Sequence, residues 1–144
     1  MAEGLFRKLV EGRDDYEVLS AGVGAYAGDP ISTYTGDVLR EAGIDSSQFR
    51  SKQLTPAMLK KATHVIGLSQ SHIRAIESMF PQASDKTYLA SEFTPDDALR
   101  GRDVTDPYGG DRADYDETRD VLTKLLPTLL AYIDQTFEKS DPVP

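Results

Sequence analysis

Apolar residues recur along this chain mainly at the spacing of amphipathic helices. In the opening stretch, Leu5, Phe6, Leu9 and Val10 share one predicted helical face. Four later segments show a similar pattern with start or stop signals. The first spans 31–42 and is ended by Gly43, and the second begins at Thr55-Pro56. The third is capped by Ser69 or Ser71 and is ended by Pro81. The final helix has an apolar stripe from Tyr115 to Phe137, and Pro127 within it predicts a kink.

Three shorter apolar runs between these helices predict β-strands at 16–20, 64–68 and 87–90. Helices and strands in alternation predict an α/β fold with a parallel sheet covered on both faces. Three strands make a thin sheet for this many helices. The opening helix also lacks a Ser, Thr, Asp or Asn cap and has no strand before it. The pattern therefore suggests that a strand belongs in front of the first helix.

Composition narrows the classes of function. The 144 residues suit one domain, and the net charge of −8 disfavours nucleic acid as a partner. With no cysteine and two histidines, the sequence predicts no disulfide, no metal site and no cofactor. No apolar run reaches the roughly 20 residues of a membrane span, so we expect a cytoplasmic protein without a membrane partner. Residues 139–144 are expected to form a flexible tail.

The strongest local motif is Asp103-Val104-Thr105-Asp106-Pro107-Tyr108-Gly109-Gly110, in the long irregular stretch before the final helix. Pro107 restricts the backbone after Asp106, Tyr108 adds an aromatic ring, and the glycines permit a sharp turn. A carboxylate on such a loop suits a general acid that protonates a leaving oxygen. The alternative is a simple turn, because Asp-Pro-x-Gly is common turn chemistry.

A second motif, Ser20-Ala21-Gly22, follows the first predicted strand. In an open parallel sheet, ligands bind beyond the carboxyl ends of the strands, and a hydroxyl there could orient a phosphate-binding loop. A strand that merely ends in a serine is the alternative interpretation.

Taken together, MAEGLFRKL, SAG, HVIGLSQSH and DVTDPYGG followed by ETRD resemble the low-molecular-weight protein tyrosine phosphatases. The bacterial branch, which includes protein arginine phosphatases, is the most similar. The resemblance implies one domain at 1–138, a three-layer α/β/α sandwich with four parallel strands. In that family the first, central strand leads into a phosphate loop Cys-x5-Arg-Ser, followed by Pro-Met-Ala-Glu. Because Met1-Ala2-Glu3 matches the end of that run, the strand, cysteine and arginine are expected upstream of Met1.

The resemblance also assigns roles to three residues. Asp106 would be the general acid and base, Tyr108 would wall the substrate pocket, and Ser20 would brace the phosphate loop. The partner would be a phosphorylated protein or a small phosphomonoester. Phe49 stands where many family members have a histidine that helps to hold the phosphate loop.

Two functions remain open at this point. One is a protein phosphatase that acts on phosphotyrosine or phosphoarginine through a phosphocysteine. These 144 residues contain no nucleophile for that reaction and are predicted to be inactive. The other is a non-catalytic, phosphatase-like interaction or regulatory protein.

Overall fold

The structure, a computed structural model, describes residues 1–22 and 32–137 and shows helices alternating with short strands. In chain order the elements are α1 (Ala2–Leu9), α2 (Thr33–Glu41), α3 (Pro56–Lys61), β1 (Val65–Gly67), α4 (Gln70–Met79), a 3-10 helix (Pro81–Lys86), β2 (Thr87–Leu89) and α5 (Arg112–Thr136). All five predicted helices are present. Ile31, the predicted start of α2, and the predicted tail at 139–144 lie outside the described residues.

Side-chain caps fix where most of these helices begin. The hydroxyls of Ser32, Thr55 and Ser69 each accept a hydrogen bond from the backbone N–H three residues on. Asp111 and Asp114 form a reciprocal capping box at the start of α5. The structure selects Ser69 over Ser71 as the cap of α4, and thereby resolves the alternative that the sequence left open.

The first helix lacks such a cap, as predicted, because its N-cap residue Met1 offers no side-chain acceptor. Leu5 and Phe6 pack against the core and Val10 is buried, whereas Leu9 is 40% exposed. The prediction that Leu9 shares the buried face is therefore wrong, because the helix ends at this residue and the chain turns away.

The last helix is 25 residues long and continues through Pro127. A proline inside a helix has no N–H to donate to the carbonyl four residues earlier, here that of Thr123. The helix does not end there, and the predicted kink stays a prediction. Its buried stripe is Tyr115, Thr118, Leu122, Leu125, Leu126, Leu129 and Ile133.

The two strands pair in parallel, with Val65 opposite Thr87 and Gly67 opposite Leu89. Both were predicted from their apolar runs. Because successive side chains of a strand point to opposite faces, β1 contacts two different cores. Ile66 packs against the core cluster formed by α5 and Val104, whereas Val65 packs against a second cluster that contains Leu59 of α3.

Gly67 supports the same division. A Cβ at this position would lie 2.6 Å from Cδ1 of Ile73, so Gly67 faces α4 on the side of Val65. Helices therefore cover both faces of the parallel sheet, and the predicted α/β sandwich is confirmed.

The strand predicted at 16–20 is wrong. None of its residues forms a ladder, and the nearby pairing is a single parallel bridge between Gly22 and Gln53. An extended segment becomes a strand only when a neighbouring backbone pairs with it, and here side chains hold the segment instead. Tyr16 packs on Phe6 of α1, with ring centroids 5.9 Å apart, and the Val18 carbonyl accepts a hydrogen bond from a side chain. The sheet of the described residues therefore has two strands rather than three.

Candidate functional site

The Asp106 loop lies at the carboxyl end of β1. The backbone N–H of Val104 donates to the carbonyl of Leu68, just beyond that strand, at 2.8 Å. The Val104 side chain is buried in the main core with the leucines of α5. This is the edge of a parallel sheet at which ligands bind in α/β folds. Packing of Val104 in the core therefore holds the Asp106 motif at this edge of the sheet.

A tight turn presents the carboxylate of Asp106 at the surface. Its Oδ1 accepts a hydrogen bond from the N–H of Tyr108 at 3.0 Å, and the N–H of Gly110 donates to the carbonyl of Pro107 at 2.8 Å. Gly109 has φ of +83°, a value that glycine adopts without strain. The motif is therefore a turn, as one interpretation held, and the turn leaves the carboxylate exposed for chemistry.

Tyr108 follows Asp106 closely but stands out into solvent. Its side chain is 84% exposed. The structure brings it to Asp106 through the backbone N–H.

Three other parts of the fold hold the residues just before Asp106. The carbonyl of Arg102 accepts a hydrogen bond from the hydroxyl of Ser91 at 2.6 Å. The Asp103 carboxylate accepts one from the N–H of Gln70, in the first turn of α4, at 2.8 Å. The carbonyl of Thr105 accepts one from the hydroxyl of Thr118, on α5, at 3.2 Å. The loop is thus fixed up to the residue that precedes the predicted acid.

The third predicted residue, Ser20, is bound to the start of α1. Its hydroxyl donates to Oε1 of Glu3 at 2.6 Å, and Oε2 of Glu3 accepts from Nε of Arg7 at 3.1 Å. Arg7 also donates to the carbonyl of Val18 at 2.5 Å. Neither Glu3 nor Arg7 was predicted from the sequence to belong to this region. Their spacing of four residues on a predicted helix was the available signal.

Phe49, at the position where the resemblance implies a histidine, lies against Arg7 and near Gly4 of α1. The Arg7 guanidinium lies 5.9 Å from the centroid of its ring. A Cβ at Gly4 would lie 3.1 Å from this ring, so only glycine permits this approach of α1 without displacing Phe49. An arginine on an aromatic face therefore occupies this part of the fold.

The carboxylates of Glu3 and Asp106 both act on the charge of the Met1 ammonium group, at the start of α1. Burial lowers the pKa of the Met1 α-ammonium, while the carboxylates of Glu3 and Asp106 act in the opposite direction. Both carboxylates therefore lie within electrostatic reach of the start of α1. Since Ser20 is bonded to Glu3, the predicted site residues border one region of the molecule.

Other ligand chemistry finds little support in the described part of the chain. Within 1–22 and 32–137 no three His, Cys, Asp or Glu side chains are grouped to hold a metal ion. A cavity of about 450 Å³ lies between α1 and the segment 16–19, away from Asp106. Its two arginines, Arg7 and Arg13, are already paired with Glu3 and with Asp15. None of the helices described is long and apolar enough to cross a membrane.

Comparison with known proteins yields a family match over almost the whole chain. The model of the family described as low molecular weight phosphotyrosine protein phosphatase matches residues 1–139. The match includes Ser20, Asp106 and Tyr108.

Individual relatives agree with that match. A protein-arginine-phosphatase of Geobacillus stearothermophilus is 37% identical over 113 residues, which cover 78% of this chain and 74% of the relative. Low molecular weight protein-tyrosine phosphatase A of Mycobacterium tuberculosis is 30% identical and covers 99% of this chain and 88% of its own length. The crystal structure of a low molecular weight protein tyrosine phosphatase from T. tengcongensis has a TM-score of 0.82 and 36% identity, with 91% of this chain and 88% of that chain covered.

Proposed function

This chain belongs to the low molecular weight phosphotyrosine protein phosphatase family, and from that premise we propose that it carries the acid–base part of a protein phosphatase site. The observation that carries the proposal is the placement of Asp106. Its carboxylate is exposed, lies at the carboxyl end of β1, and interacts electrostatically with the start of α1. In this family the phosphate is bound at that helix end, where backbone N–H groups face an anion.

The chemistry proposed for Asp106 has two steps. A thiolate attacks phosphorus, the bond from phosphorus to the leaving atom breaks, and the protonated Asp106 gives its proton to that atom. The resulting carboxylate then accepts a proton from water, whose oxygen attacks phosphorus and breaks the phosphorus–sulfur bond. Phosphate and the thiolate are the products, and Asp106 ends protonated as it began.

Tyr108 and Ser20 would support this reaction without taking part in proton transfer. The exposed ring of Tyr108 would cover one side of the substrate's leaving group. Ser20, which donates its hydroxyl to Glu3, would stabilise the segment beside the phosphate loop. Both roles follow from motif position in the family and are compatible with the contacts described.

The nucleophile is the missing part. These 144 residues contain no cysteine, so we propose that they do not form a phosphocysteine by themselves. The same observation favours a second candidate function, a non-catalytic phosphatase-like protein that regulates or binds a partner. In that case Asp106 would have no catalytic role.

The proposed substrates are a phosphorylated protein, on tyrosine or arginine, or a small phosphomonoester. Relatives named for each protein activity support this range, since both kinds are similar to this chain. An acidic surface, with a net charge of −8, is compatible with one local anion site and a cytoplasmic protein.

The test compares two proteins: the 144-residue chain, and the same chain preceded by a family strand and Cys-x5-Arg-Ser loop. Hydrolysis of p-nitrophenyl phosphate, a phosphotyrosine peptide and phosphoarginine is measured for each. We expect no thiol-dependent turnover by the 144 residues and clear turnover by the extended chain. In the extended chain Asp106→Asn should lower kcat by about 10²- to 10⁴-fold.

The matched control is Asp97→Asn, an exposed aspartate of the same long loop that is paired with Arg100. It should leave turnover unchanged. Turnover by the 144-residue chain would refute the proposed need for a thiol, whereas an inactive extended chain would favour the non-catalytic candidate.

A further inference from the structure

The direction of the Asp106 carboxylate depends on the loop that carries it. The side chain is exposed, and its described hydrogen bond comes from Tyr108 within the same turn. A bond within the turn fixes the shape of the turn but not its orientation relative to the sheet. That orientation must come from contacts with other elements, at the residues before Asp106.

Thr118 on α5 provides the contact nearest to the acid. Its side chain is 7% exposed, and its Oγ1 lies 3.2 Å from the carbonyl oxygen of Thr105 and 3.1 Å from that of Asp114, one turn earlier on α5. A hydroxyl has one hydrogen, so the two carbonyls share it. Thr105 is the residue directly before Asp106, which makes this bond the last anchor before the turn.

Other threonines of α5 show that this contact is not a general property of the helix. The hydroxyl of Thr123 donates to the carbonyl of Arg119 at 2.8 Å, and that of Thr136 donates to the carbonyl of Tyr132 at 2.6 Å. Both have the same bond to the preceding turn that Thr118 makes to Asp114. Thr118 adds to this local pattern a bond that crosses to the loop.

Asp103 provides the second anchor, from the other side. Its Oδ1 accepts the N–H of Gln70, the first residue of α4, at 2.8 Å. Ser69 already caps the same helix through the N–H of His72. A carboxylate at this helix end is held by its hydrogen bond and by the helix dipole. Between the two anchors, Val104 is buried in the core and bonded to Leu68.

We propose that Thr118 and Asp103 are positioning residues for Asp106, because they fix the loop to α5 and α4 on either side of Val104. Neither touches a substrate. They set the angle at which the turn leaves the core, and so the place of the carboxylate relative to the start of α1. The inference rests on the proposed acid–base role of Asp106 for its meaning in catalysis, whereas the orientation of the loop is measurable without turnover.

The test measures residual dipolar couplings of the backbone N–H groups in the isotopically labelled 144-residue chain. These couplings report the orientation of the loop relative to the helices. In Thr118→Val the couplings of the four N–H groups of the loop, those of residues 105, 106, 108 and 109, should fall by about half or more, while those of α5 and β1 keep their values. The rate of hydrogen exchange of the Val104 amide with solvent should rise about three- to tenfold, because the neighbouring hydrogen bond from Thr118 to Thr105 is lost.

Four further variants separate positioning from a general role in stability. Thr118→Ser keeps the hydroxyl and should retain the couplings of these four loop N–H groups, whatever its effect on the urea midpoint. Thr123→Val removes a hydroxyl from the same helix and should leave them unchanged. Asp103→Ala should reduce them, and Asp103→Asn, which keeps an acceptor oxygen, should retain most of their size.

Unchanged loop couplings in Thr118→Val or in Asp103→Ala overturn the inference for that residue. A decrease of the loop couplings in Thr123→Val as large as that in Thr118→Val overturns the inference as well. Asp103 is exposed, so its variants keep the inference falsifiable if Thr118→Val does not fold. The proposed function fails separately, when Asp106→Asn leaves the turnover of the extended chain unchanged.

Discussion

At the scale of single residues, Gly110 shows how the Asp106 turn is joined to α5. A Cβ here would lie 2.3 Å from Oδ2 of Asp114 and 3.0 Å from its Cβ and Cγ. The same Oδ2 accepts the N–H of Asp111 in the capping box. A Cβ at residue 110 would therefore occupy the space that the Asp114 carboxylate fills in the capping box, and glycine is the residue that has no Cβ.

Gly110→Ala should destabilise the protein by about 1 kcal/mol, because it displaces Asp114 from the capping box. In an Asp114→Ala background the same substitution should cost less, since the clashing carboxylate is gone and only the Cβ contact at 3.0 Å remains. Urea unfolding of the four proteins of this cycle measures the difference. An equal cost of Gly110→Ala in both backgrounds would show that the cap is not the reason for this glycine.

The residues of the candidate site differ in how far the sequence revealed them. Asp106 and Tyr108 stood in a compact motif, and the turn around them depends on chemistry within five residues. Thr118, in the stretch ETRD, was not predicted to contact the loop, because a threonine on a helix carries no local signal for a hydrogen-bond partner 13 positions away. Glu3 had a local signal through Arg7, but its bond to Ser20 joins residues 17 positions apart.

At the scale of elements, a cluster of charged and polar groups fastens the segment after α1 to α5. The guanidinium of Arg13 donates to both carboxylate oxygens of Asp134 at 2.9 Å, and also to Asp15. The hydroxyl of Tyr16 donates to Oδ1 of Asp134 at 2.8 Å. This paired geometry is the strong form of an arginine–carboxylate contact.

Asp134→Asn should lower stability at neutral pH, and the loss should depend on pH. The hydrogen bonds from Arg13 and Tyr16 hold the pKa of Asp134 below its ordinary value near 3.8. A carboxylate with a lowered folded pKa stabilises the protein above its unfolded pKa, and this stabilisation disappears as pH falls through the folded pKa. The difference in urea midpoint between the two proteins should therefore shrink below about pH 4.

Asp120→Asn is the control for this prediction. Asp120 is on the same helix and is paired with its sequence neighbour Arg119. Its substitution should have a smaller effect at neutral pH. A difference for Asp134→Asn that stays constant down to pH 2 would contradict the assigned cause.

Elements were predicted well where their signals are local. Caps, proline and glycine fixed the helix starts and stops within a few residues, and these interactions involve neighbours in sequence. The prediction of a strand at 16–20 was wrong because a strand requires a paired backbone. The apolar residues of the segment do not reveal whether the described sheet supplies one. Side-chain contacts hold the segment instead, through Tyr16 on Phe6 and Arg7 on the Val18 carbonyl.

At the scale of the whole molecule, the sheet separates two cores. One holds α5 and Val104, and the other holds Leu59, Ile76 and Ala83. Ile133 and Ile76 are matched probes of the two, with 7% and 5% of their surface exposed. Their side chains pack on opposite sides of β1 and share no cluster.

Ile133→Val and Ile76→Val should each destabilise the protein by about 0.5–1.5 kcal/mol through the loss of one buried methylene. In the double variant the two losses should add to within about 0.5 kcal/mol, because the residues lie in separate clusters. Urea unfolding of the single and double variants measures this. A larger coupling energy would mean that the sheet transmits packing changes from one core to the other.

The pairing of Arg13 with Asp134 also bears on the time course of folding. The two residues are 121 positions apart, so their contact closes nearly the whole described chain into one loop. The entropy lost on closing so long a loop delays such a contact until most local structure has formed. Interactions that form after the transition state slow unfolding and leave the folding rate almost unchanged. We therefore expect this ion pair to lengthen the lifetime of the folded molecule more than it changes the rate of folding.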